Sequence, residues 1–134
     1  MILATVDSSV LVASLLSHDP RHREALAVME QIVNGHVRAV MPCSVLVEVV
    51  AAIRRRTASE KDALEVEESL MALDGILFLD ITRKTARDAA RLAAAIGVRG
   101  MDALVVQTAL EHQTKLISFD VEMTTKAATI LGAP

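Results

Sequence analysis

Aromatic residues are almost absent from this sequence of 134 residues, which contains two phenylalanines, no tyrosine and no tryptophan. Phe78 and Phe119 are too few to build the row of rings on which many proteins stack single-stranded nucleic acid. The sequence is nevertheless 52% hydrophobic, so its core must consist of alanine, valine, leucine, isoleucine and methionine. Such a core allows helices to pack closely against a sheet.

Cysteine and long apolar runs are also scarce. The single thiol, Cys43, excludes an internal disulfide and fits the reducing conditions of the cytosol. No apolar run reaches the roughly 18 residues that a membrane-spanning helix needs. The first apolar run is interrupted by Asp7 and does not resemble a signal peptide. We therefore expect a cytoplasmic protein that does not associate with a membrane.

Positive charge is not in excess, because the net charge is −3. This balance argues against a protein that coats nucleic acid through its phosphates. It leaves room for a nuclease that uses a metal ion and a local basic patch. Arg54, Arg55 and Arg56 are one candidate patch, at the end of a predicted helix. There they could simply be solvated and favourable at a helix C-terminus, or they could contact an RNA backbone or a protein partner.

Short apolar segments alternate with longer amphipathic segments along the whole chain, whose length suits one domain. The predicted strands cover residues 1–6, 36–41, 76–79 and 116–118. Because helices separate the strands, the strands should be parallel and joined by helical crossovers. The sequence thus predicts an α/β protein, a three-layer α/β/α sandwich with a mainly parallel sheet of four or five strands, in one domain spanning residues 1–134.

Some local features carry further expectations. Pro42 fits the first turn of a helix, and Ser59 and Thr82 fit helix N-caps. The C-terminal segment is predicted as a short helix at residues 122–127 followed by an extended stretch at 128–131. The two helices before Gly35 are the expected location of a homodimer face, since exposed apolar patches mark interfaces.

Three aspartates occupy the ends of these predicted elements. Asp7 ends the first strand, Asp102 begins a helix with a largely apolar sequence, and Asp120 follows the last strand. In an open α/β sheet, strand ends and helix starts meet at the rim where ligands bind. Each aspartate taken alone could equally be a helix N-cap.

Glu48 is harder to explain as a structural residue, because it lies within the apolar segment from Val45 to Val50. A carboxylate buried without a partner costs several kcal/mol, so it needs a cation, a metal ion or a water-filled cleft. The alternative is that the helix turns Glu48 onto a partly solvated face beside Ser44 and Ala52.

Together, Asp7, Glu48, Asp102 and Asp120 predict a cluster of carboxylates at one rim of the sheet. Clustered like charges repel each other and raise each other's pKa, unless a divalent cation neutralises them. Oxygen ligands favour Mg²⁺ or Mn²⁺ over zinc. Such ions activate water and stabilise charge on a phosphoryl group, which indicates phosphodiester hydrolysis.

The same segments, in this order, resemble the PIN-domain ribonucleases and, more narrowly, the VapC toxins of toxin–antitoxin pairs. The matching motifs are Val6-Asp7-Ser8-Ser9, Glu48 after Pro42, Met101-Asp102-Ala103-Leu104 with Ala109, and Ser118-Phe119-Asp120. Each motif is short, but the ordered set covers the length of the chain. The resemblance implies a parallel-sheet PIN fold and endonucleolytic cleavage of RNA with Mg²⁺ or Mn²⁺. It also implies frequent homodimers and a small antitoxin that blocks the site.

Residue roles follow from this resemblance. It implies that Asp7 and Asp102 are metal ligands and that Glu48 and Asp120 complete an acidic quartet. It further implies that Ser118, and Ser8 or Ser9, steady the first aspartate.

The sequence departs from the family pattern at one position. Many relatives carry another acid three residues after the fourth, where this sequence has Met123 beside Glu122. Whether one metal ion or two are held is therefore left open.

Two other functions remain as alternatives. A signalling receiver domain has a similar alternation of strands and helices, and Asp80 would be its phosphoacceptor. Against it, the first strand ends in one acid rather than a pair, and Glu48 and Asp102 would have no role. A PIN-like module that has lost catalysis and only binds is the second alternative, although all four acids are present.

Overall fold

The structure is a computed structural model that describes residues 1–132. Strands and helices alternate within these residues. In chain order they are β1 (Ile2–Val6), α1 (Ser8–Leu15), α2 (His22–Val33), β2 (Val37–Pro42), α3 (Cys43–Thr57), α4 (Glu60–Ala72), β3 (Ile76–Leu79), α5 (Arg83–Ile96), α6 (Gly100–His112), β4 (Lys115–Ile117) and α7 (Val121–Leu131). No helix in the described part of the chain is long and apolar enough to cross a membrane.

All strand pairs of the sheet are parallel, and the strand order is β3-β2-β1-β4. Ala4 of β1 lies opposite Ala39 of β2 on one side and Lys115 of β4 on the other. The prediction of a parallel α/β sandwich is confirmed, with four strands in residues 1–132. The first strand occupies a central position, as its apolar sequence predicts.

The strand order places the reversal of the chain path between β1 and β4. The chain moves from β1 to β2 to β3 in one direction, and then returns across the sheet to add β4 on the other side of β1. With right-handed crossovers, the helices of the first two connections cover one face and those of the return cover the other. Ligands bind at the carboxyl ends of strands beside such a reversal.

The core is aliphatic, as the composition predicts. Ala4 and Val6 of β1 and Ala39 and Met41 of β2 are fully buried between the helical layers. Helix α6, which packs on both of these strands, buries the apolar run from Ala103 to Val106. This helix therefore fixes the position of Asp102, in its first turn, relative to the central strands.

Several local predictions prove right and others wrong. Ser59 and Thr82 are helix N-caps, accepting hydrogen bonds from Asp62 N–H (3.0 Å) and Thr85 N–H (3.1 Å). Pro42 is the last residue of β2 and precedes α3 rather than forming its first turn. Proline has no backbone N–H to donate to a neighbouring strand. The backbone of Pro42 is nevertheless extended, so it fits the last position of a strand.

The predicted extended stretch at residues 128–131 is also wrong, because α7 continues to Leu131. Met123 and Ala127, four residues apart, are buried on one face and anchor this helix. The helix ends where Gly132 adopts a φ of 85°.

Candidate active site

Asp7 lies at the carboxyl end of β1, directly beside β4. Its N–H donates to the carbonyl of Ile117 (2.9 Å), and only 5% of the residue is exposed. Its Oδ2 accepts hydrogen bonds from the hydroxyls of Ser9 (2.8 Å) and Ser118 (3.0 Å). Asp7 is also the N-cap of α1. The same carboxylate therefore caps α1 and lies at the rim where the other acids are predicted.

The two serines connect the ends of β1 and β4. The Ser9 hydroxyl accepts from Phe119 N–H (3.1 Å), and the Ser118 hydroxyl accepts from Asp120 N–H (3.0 Å). Each serine hydroxyl thus donates a hydrogen bond to the Asp7 carboxylate and accepts one from a backbone N–H of the segment after β4. Within residues 1–132 no hydrogen bond links the Ser8 hydroxyl to Asp7, so the predicted support comes from Ser9.

Arg99 joins the acids of α6 and α7. Its guanidinium lies 3.6 Å from Asp102 and 3.4 Å from Asp120, measured from nitrogen to the carboxylate Oδ2. Asp120 is the N-cap of α7 and accepts from Met123 N–H (3.1 Å), whereas Asp102 lies inside the first turn of α6. No motif of the sequence singles out Arg99. The one signal that the sequence offers is its position just before the Gly100-Met101-Asp102 helix start.

Glu48 approaches the same carboxylates from α3. Burial raises the pKa of Glu48, and the negative charges of Asp7 and Asp102 raise it further. The pKa of Asp102 is raised for the same reasons, by burial and then by Asp7 and Asp120, and Arg99 offsets part of the effect. The structure thus brings the acids of four separate elements to one rim, close enough to repel one another.

The donor chemistry of this rim suits a hard divalent cation. Its candidate ligands are carboxylates, and oxygen donors are those preferred by Mg²⁺ and Mn²⁺. Within residues 1–132, however, no three carboxylate, imidazole or thiol side chains are close enough to enclose a metal ion as they stand. Mg²⁺ commonly binds through one or two protein carboxylates and keeps several waters, so a pair of these acids could hold it, and the ion would relieve the repulsion that raises the pKa of Glu48 and Asp102.

The residue three positions after Asp120, where many relatives carry another acid, is a core residue here. Met123 is 1% exposed and belongs to the core. Glu122 beside it forms an ion pair with Lys126 at 2.8 Å on the surface of α7. Met123 therefore adds no carboxylate to the rim, whereas Glu122 is paired with Lys126 but still contributes to the raised pKa of Asp102.

A cleft of about 540 Å³ adjoins the acids, between the N-terminal helices and α3. Its lining includes Ser9, Glu48, Arg55, Arg56 and Phe119. Two of the three arginines predicted to form a basic patch therefore face the space next to Glu48, whereas Arg54 is not part of the lining. Arg56 also lies 4.0 Å from Asp19, in the loop between α1 and α2.

Asp80 lies apart from this rim. It is exposed and follows β3, the edge strand at the opposite side of the sheet from β4. Glu48 and Asp102, for which a receiver domain has no use, lie close to Asp7 and raise the local negative charge there. The alternative of a phosphoacceptor at Asp80 is therefore not favoured.

The family model of the PIN domain matches residues 4–128. The match covers nearly the whole chain, including all four acids of the rim. The chain belongs to the PIN domain family.

Solved structures add likeness in fold. VapC20 of Mycobacterium tuberculosis, described as a toxin that cleaves the sarcin–ricin loop, has a TM-score of 0.78 and 16% identity, over 91% of this chain and 93% of that one. VapBC2 of Rickettsia felis, bound to a promoter DNA fragment, has a TM-score of 0.67 and 10% identity, over 92% of both chains. No curated protein matches in sequence. At these identities the likeness concerns the fold, and it confirms the predicted PIN-like architecture.

The crowding of the acids leads to a prediction about stability without divalent cations. Because the folded state raises the pKa of Glu48 and Asp102, it binds protons more tightly than the unfolded chain. The stabilisation of the fold by this tighter proton binding is complete at a pH below the unfolded-state pKa values of about 4. It is lost as the pH rises through the higher pKa values of the folded state. In EDTA, lowering the pH from about 7 toward about 5 should therefore stabilise the wild type more than Asp7→Asn.

The measurement is the thermal midpoint of both proteins across this pH range. The exposed Asp88 and Glu122 have a lowered pKa, because each is hydrogen-bonded to a lysine, and they contribute with the opposite sign. They are unchanged in Asp7→Asn, so the difference between the two proteins reports on the rim. Identical pH dependence in both would contradict the coupling.

Proposed function

We propose that this protein is an endoribonuclease that depends on Mg²⁺ or Mn²⁺ and serves as the toxin of a VapBC-type toxin–antitoxin pair. The observation that carries the proposal is the convergence of Asp7, Glu48, Asp102 and Asp120 beside the chain reversal, with the pKa of Glu48 and Asp102 raised by neighbouring acids. Membership of the PIN domain family supports it. The sarcin–ricin loop cleavage ascribed to VapC20 adds support by likeness of fold.

In the proposed site, Asp7 and Asp102 hold the cation, and Glu48 and Asp120 complete the charge balance. When bound, the cation supplies positive charge to the scissile phosphate and lowers the pKa of water. Ser9 and Ser118 hold the Asp7 carboxylate in one orientation through their hydrogen bonds. The guanidinium of Arg99 forms ion pairs with both Asp102 and Asp120 and so restrains the two carboxylates.

The proposed reaction is hydrolysis by in-line attack of water on phosphorus. The bond from phosphorus to the 3′ oxygen breaks, which leaves a 3′-hydroxyl and a 5′-phosphate. No side chain acts as the nucleophile, so no covalent intermediate forms with the protein. The contribution of the chain is to position the phosphate and to concentrate negative charge where the cation is needed.

Single-stranded RNA is the proposed substrate, with the cleft as its path to the acids. Arg55 and Arg56 line this cleft and are suited to contact the phosphates that flank the scissile one. Arg54, in the same last turn of α3, would contact the RNA backbone outside the cleft. A localised contact of this kind is compatible with the net charge of −3.

An antitoxin and a second copy of the chain are the proposed protein partners. The likeness to VapBC2 supports the first. Exposed apolar side chains on the two N-terminal helices, Leu15, Leu26 and Val33, support the proposed homodimer face. Within α2, Ala25 and Ile32 are buried, whereas Leu26 and Val33 are exposed. The proposed compartment is the cytoplasm.

The test of the proposal is to incubate the purified protein with cellular RNA and Mg²⁺, and to sequence the newly formed 5′ ends. The proposal expects discrete new ends that carry 5′-phosphates. A PIN-like module that only binds would retain RNA without producing ends, and that result would replace the proposal with the binding alternative.

The two serines after Asp7 provide a matched pair of variants. Ser9→Ala should lower the cleavage rate about 10- to 100-fold, the range typical of groups that orient a metal ligand. The reason is that Ser9 donates to Asp7 at 2.8 Å. Ser8→Ala should change the rate much less. Single-turnover cleavage of one RNA by both variants is the measurement, and equal losses would show that Ser9 has no orienting role.

A further inference from the structure

We propose that Arg21, held over the ring of Phe119, forms a nucleobase-stacking subsite next to the scissile phosphate. The inference rests on the proposed function and adds a determinant of substrate choice to it. The composition excludes a row of aromatic rings. A guanidinium supported by one ring provides the same kind of flat surface, because bases in single-stranded RNA stack on arginine planes as well as on rings.

The position of Arg21 is fixed by three contacts. Its guanidinium carbon lies 3.7 Å from the centroid of the Phe119 ring, which is a close cation–π contact. Its guanidinium also forms an ion pair with Glu24, one turn along α2. Its backbone N–H donates to Asp19 Oδ1 (2.8 Å), which fixes the chain just before the helix. The side chain nevertheless remains 47% exposed.

Phe119 connects this stacked pair to the acids. It lies between Ser118 and Asp120 in sequence, and its N–H donates to the Ser9 hydroxyl that holds Asp7. Its side chain is half-buried and packs against the core, so one part of the ring supports Arg21 from below. A base stacked on the outer surface of Arg21 would therefore belong to a nucleotide close to the site of cleavage.

The cleft has the space and the charge for such a nucleotide. Its volume of about 540 Å³ lies within the range of small-ligand sites, roughly 300–1,000 Å³. Arg21 and Phe119 line it together with Arg55 and Arg56, and these three arginines outnumber the two acids of the lining, Asp19 and Glu48. A strand in this cleft could place phosphates at the arginines of α3, a base on Arg21 and the next phosphate at the acids. Only an unpaired base can stack in this way, so the subsite selects single-stranded RNA.

The subsite is tested by binding in EDTA, which separates binding from cleavage. The probes are fluorescent oligoadenylate and the same sugar-phosphate backbone without bases, and the measurement is anisotropy. The wild type should bind oligoadenylate about tenfold more tightly than the abasic strand, as expected for one stacked base. Arg21→Lys keeps the charge but removes the plane, and it should lose most of this preference.

Arg23→Lys is the matched control, because it is the same substitution at an arginine that is exposed in the first turn of α2 and does not line the cleft. It should change the binding of both probes little and keep the preference for bases. Phe119→Leu retains an apolar side chain in the core contact but removes the ring, and it should reduce the preference as Arg21→Lys does. A preference unchanged in Arg21→Lys would overturn the subsite.

Cleavage of RNA by the same proteins in Mg²⁺ distinguishes this proposal from the proposed function. If the wild type cleaves RNA but the base preference is the same in Arg21→Lys, the subsite is wrong and the nuclease stands. If the preference depends on Arg21 but no cleavage occurs with Mg²⁺ or Mn²⁺, the subsite stands and the nuclease is wrong.

Discussion

Replacing Asp7 with asparagine is expected to lower the rate of RNA cleavage by more than about a hundredfold while the protein remains folded. Loss of groups that merely orient a metal ligand typically costs 10- to 100-fold, and loss of a ligand charge should cost more. The fold should tolerate the change, because asparagine is as good an N-cap as aspartate and can accept the same serine hydrogen bonds. The measurement is single-turnover cleavage, with circular dichroism and the thermal midpoint as checks on folding.

Asp80→Asn is the matched control for Asp7→Asn. It is the same substitution at an exposed aspartate that also follows a strand, but at the far edge of the sheet. Cleavage by this variant should equal that of the wild type. Unchanged cleavage in Asp7→Asn, or equal losses in both variants, would remove Asp7 from the proposed site. A stable acylphosphate at Asp80 after incubation with a small phosphodonor would instead favour a receiver domain.

The stability of Asp7→Asn carries separate information. In the folded state the Asp7 charge raises the pKa of Glu48 and Asp102, which is an unfavourable interaction at neutral pH. Removing it should leave the metal-free protein at least as stable as the wild type. A variant that loses activity without losing stability is typical of a residue kept for function at a cost in stability.

The positions of the acids could be predicted because they follow from the order of strands and helices. Asp7 directly follows β1, Asp120 lies three residues after β4 at the start of α7, and Asp102 lies in the first turn of α6. The carboxyl ends of such strands meet the starts of helices whatever the detailed packing. Whether Asp7 is a cap or a site residue could not be decided from sequence, since the structure shows that one carboxylate caps α1 and also faces the other acids.

The contacts that arise from packing between distant segments could not be predicted. Arg99 reaches Asp120 over 21 residues of sequence, and whether it does so depends on how α6 and α7 are placed. Arg21 is brought onto Phe119 by the loop between α1 and α2, which has no periodic pattern to interpret. Hydrophobic periodicity specifies a face of an element, whereas such pairs depend on the angle and distance between elements.

The exposed apolar residues of α2 illustrate the same point. Leu26 and Val33 fit the helical stripe of Ala25 and Ile32, but they lie at its margin and remain exposed. The stripe is wider than the surface that α1 and β2 cover. Which margin is left uncovered depends on the rotation of the helix, and this cannot be obtained from the residue pattern.

Removal of divalent cations is expected to abolish RNA cleavage, and addition of Mg²⁺ or Mn²⁺ is expected to restore it. Both expectations follow from the carboxylate donors of the rim and from their mutual repulsion. Binding should also stabilise the fold, by about 2.7 kcal/mol at an ion concentration of about 100 times Kd. The measurements are cleavage in EDTA before and after adding each ion, and the thermal midpoint at increasing Mg²⁺.

Asp102→Asn and Asp80→Asn separate binding at the rim from general effects of the ion. Asp102 lies in the rim and faces Asp7 and Asp120, so its loss should remove most of the stabilisation by Mg²⁺. Asp80 is exposed at the other edge of the sheet, and its loss should leave that stabilisation intact. Cleavage that persists in EDTA would contradict the proposed mechanism, because four crowded carboxylates without a cation would repel the phosphate that they are proposed to bind.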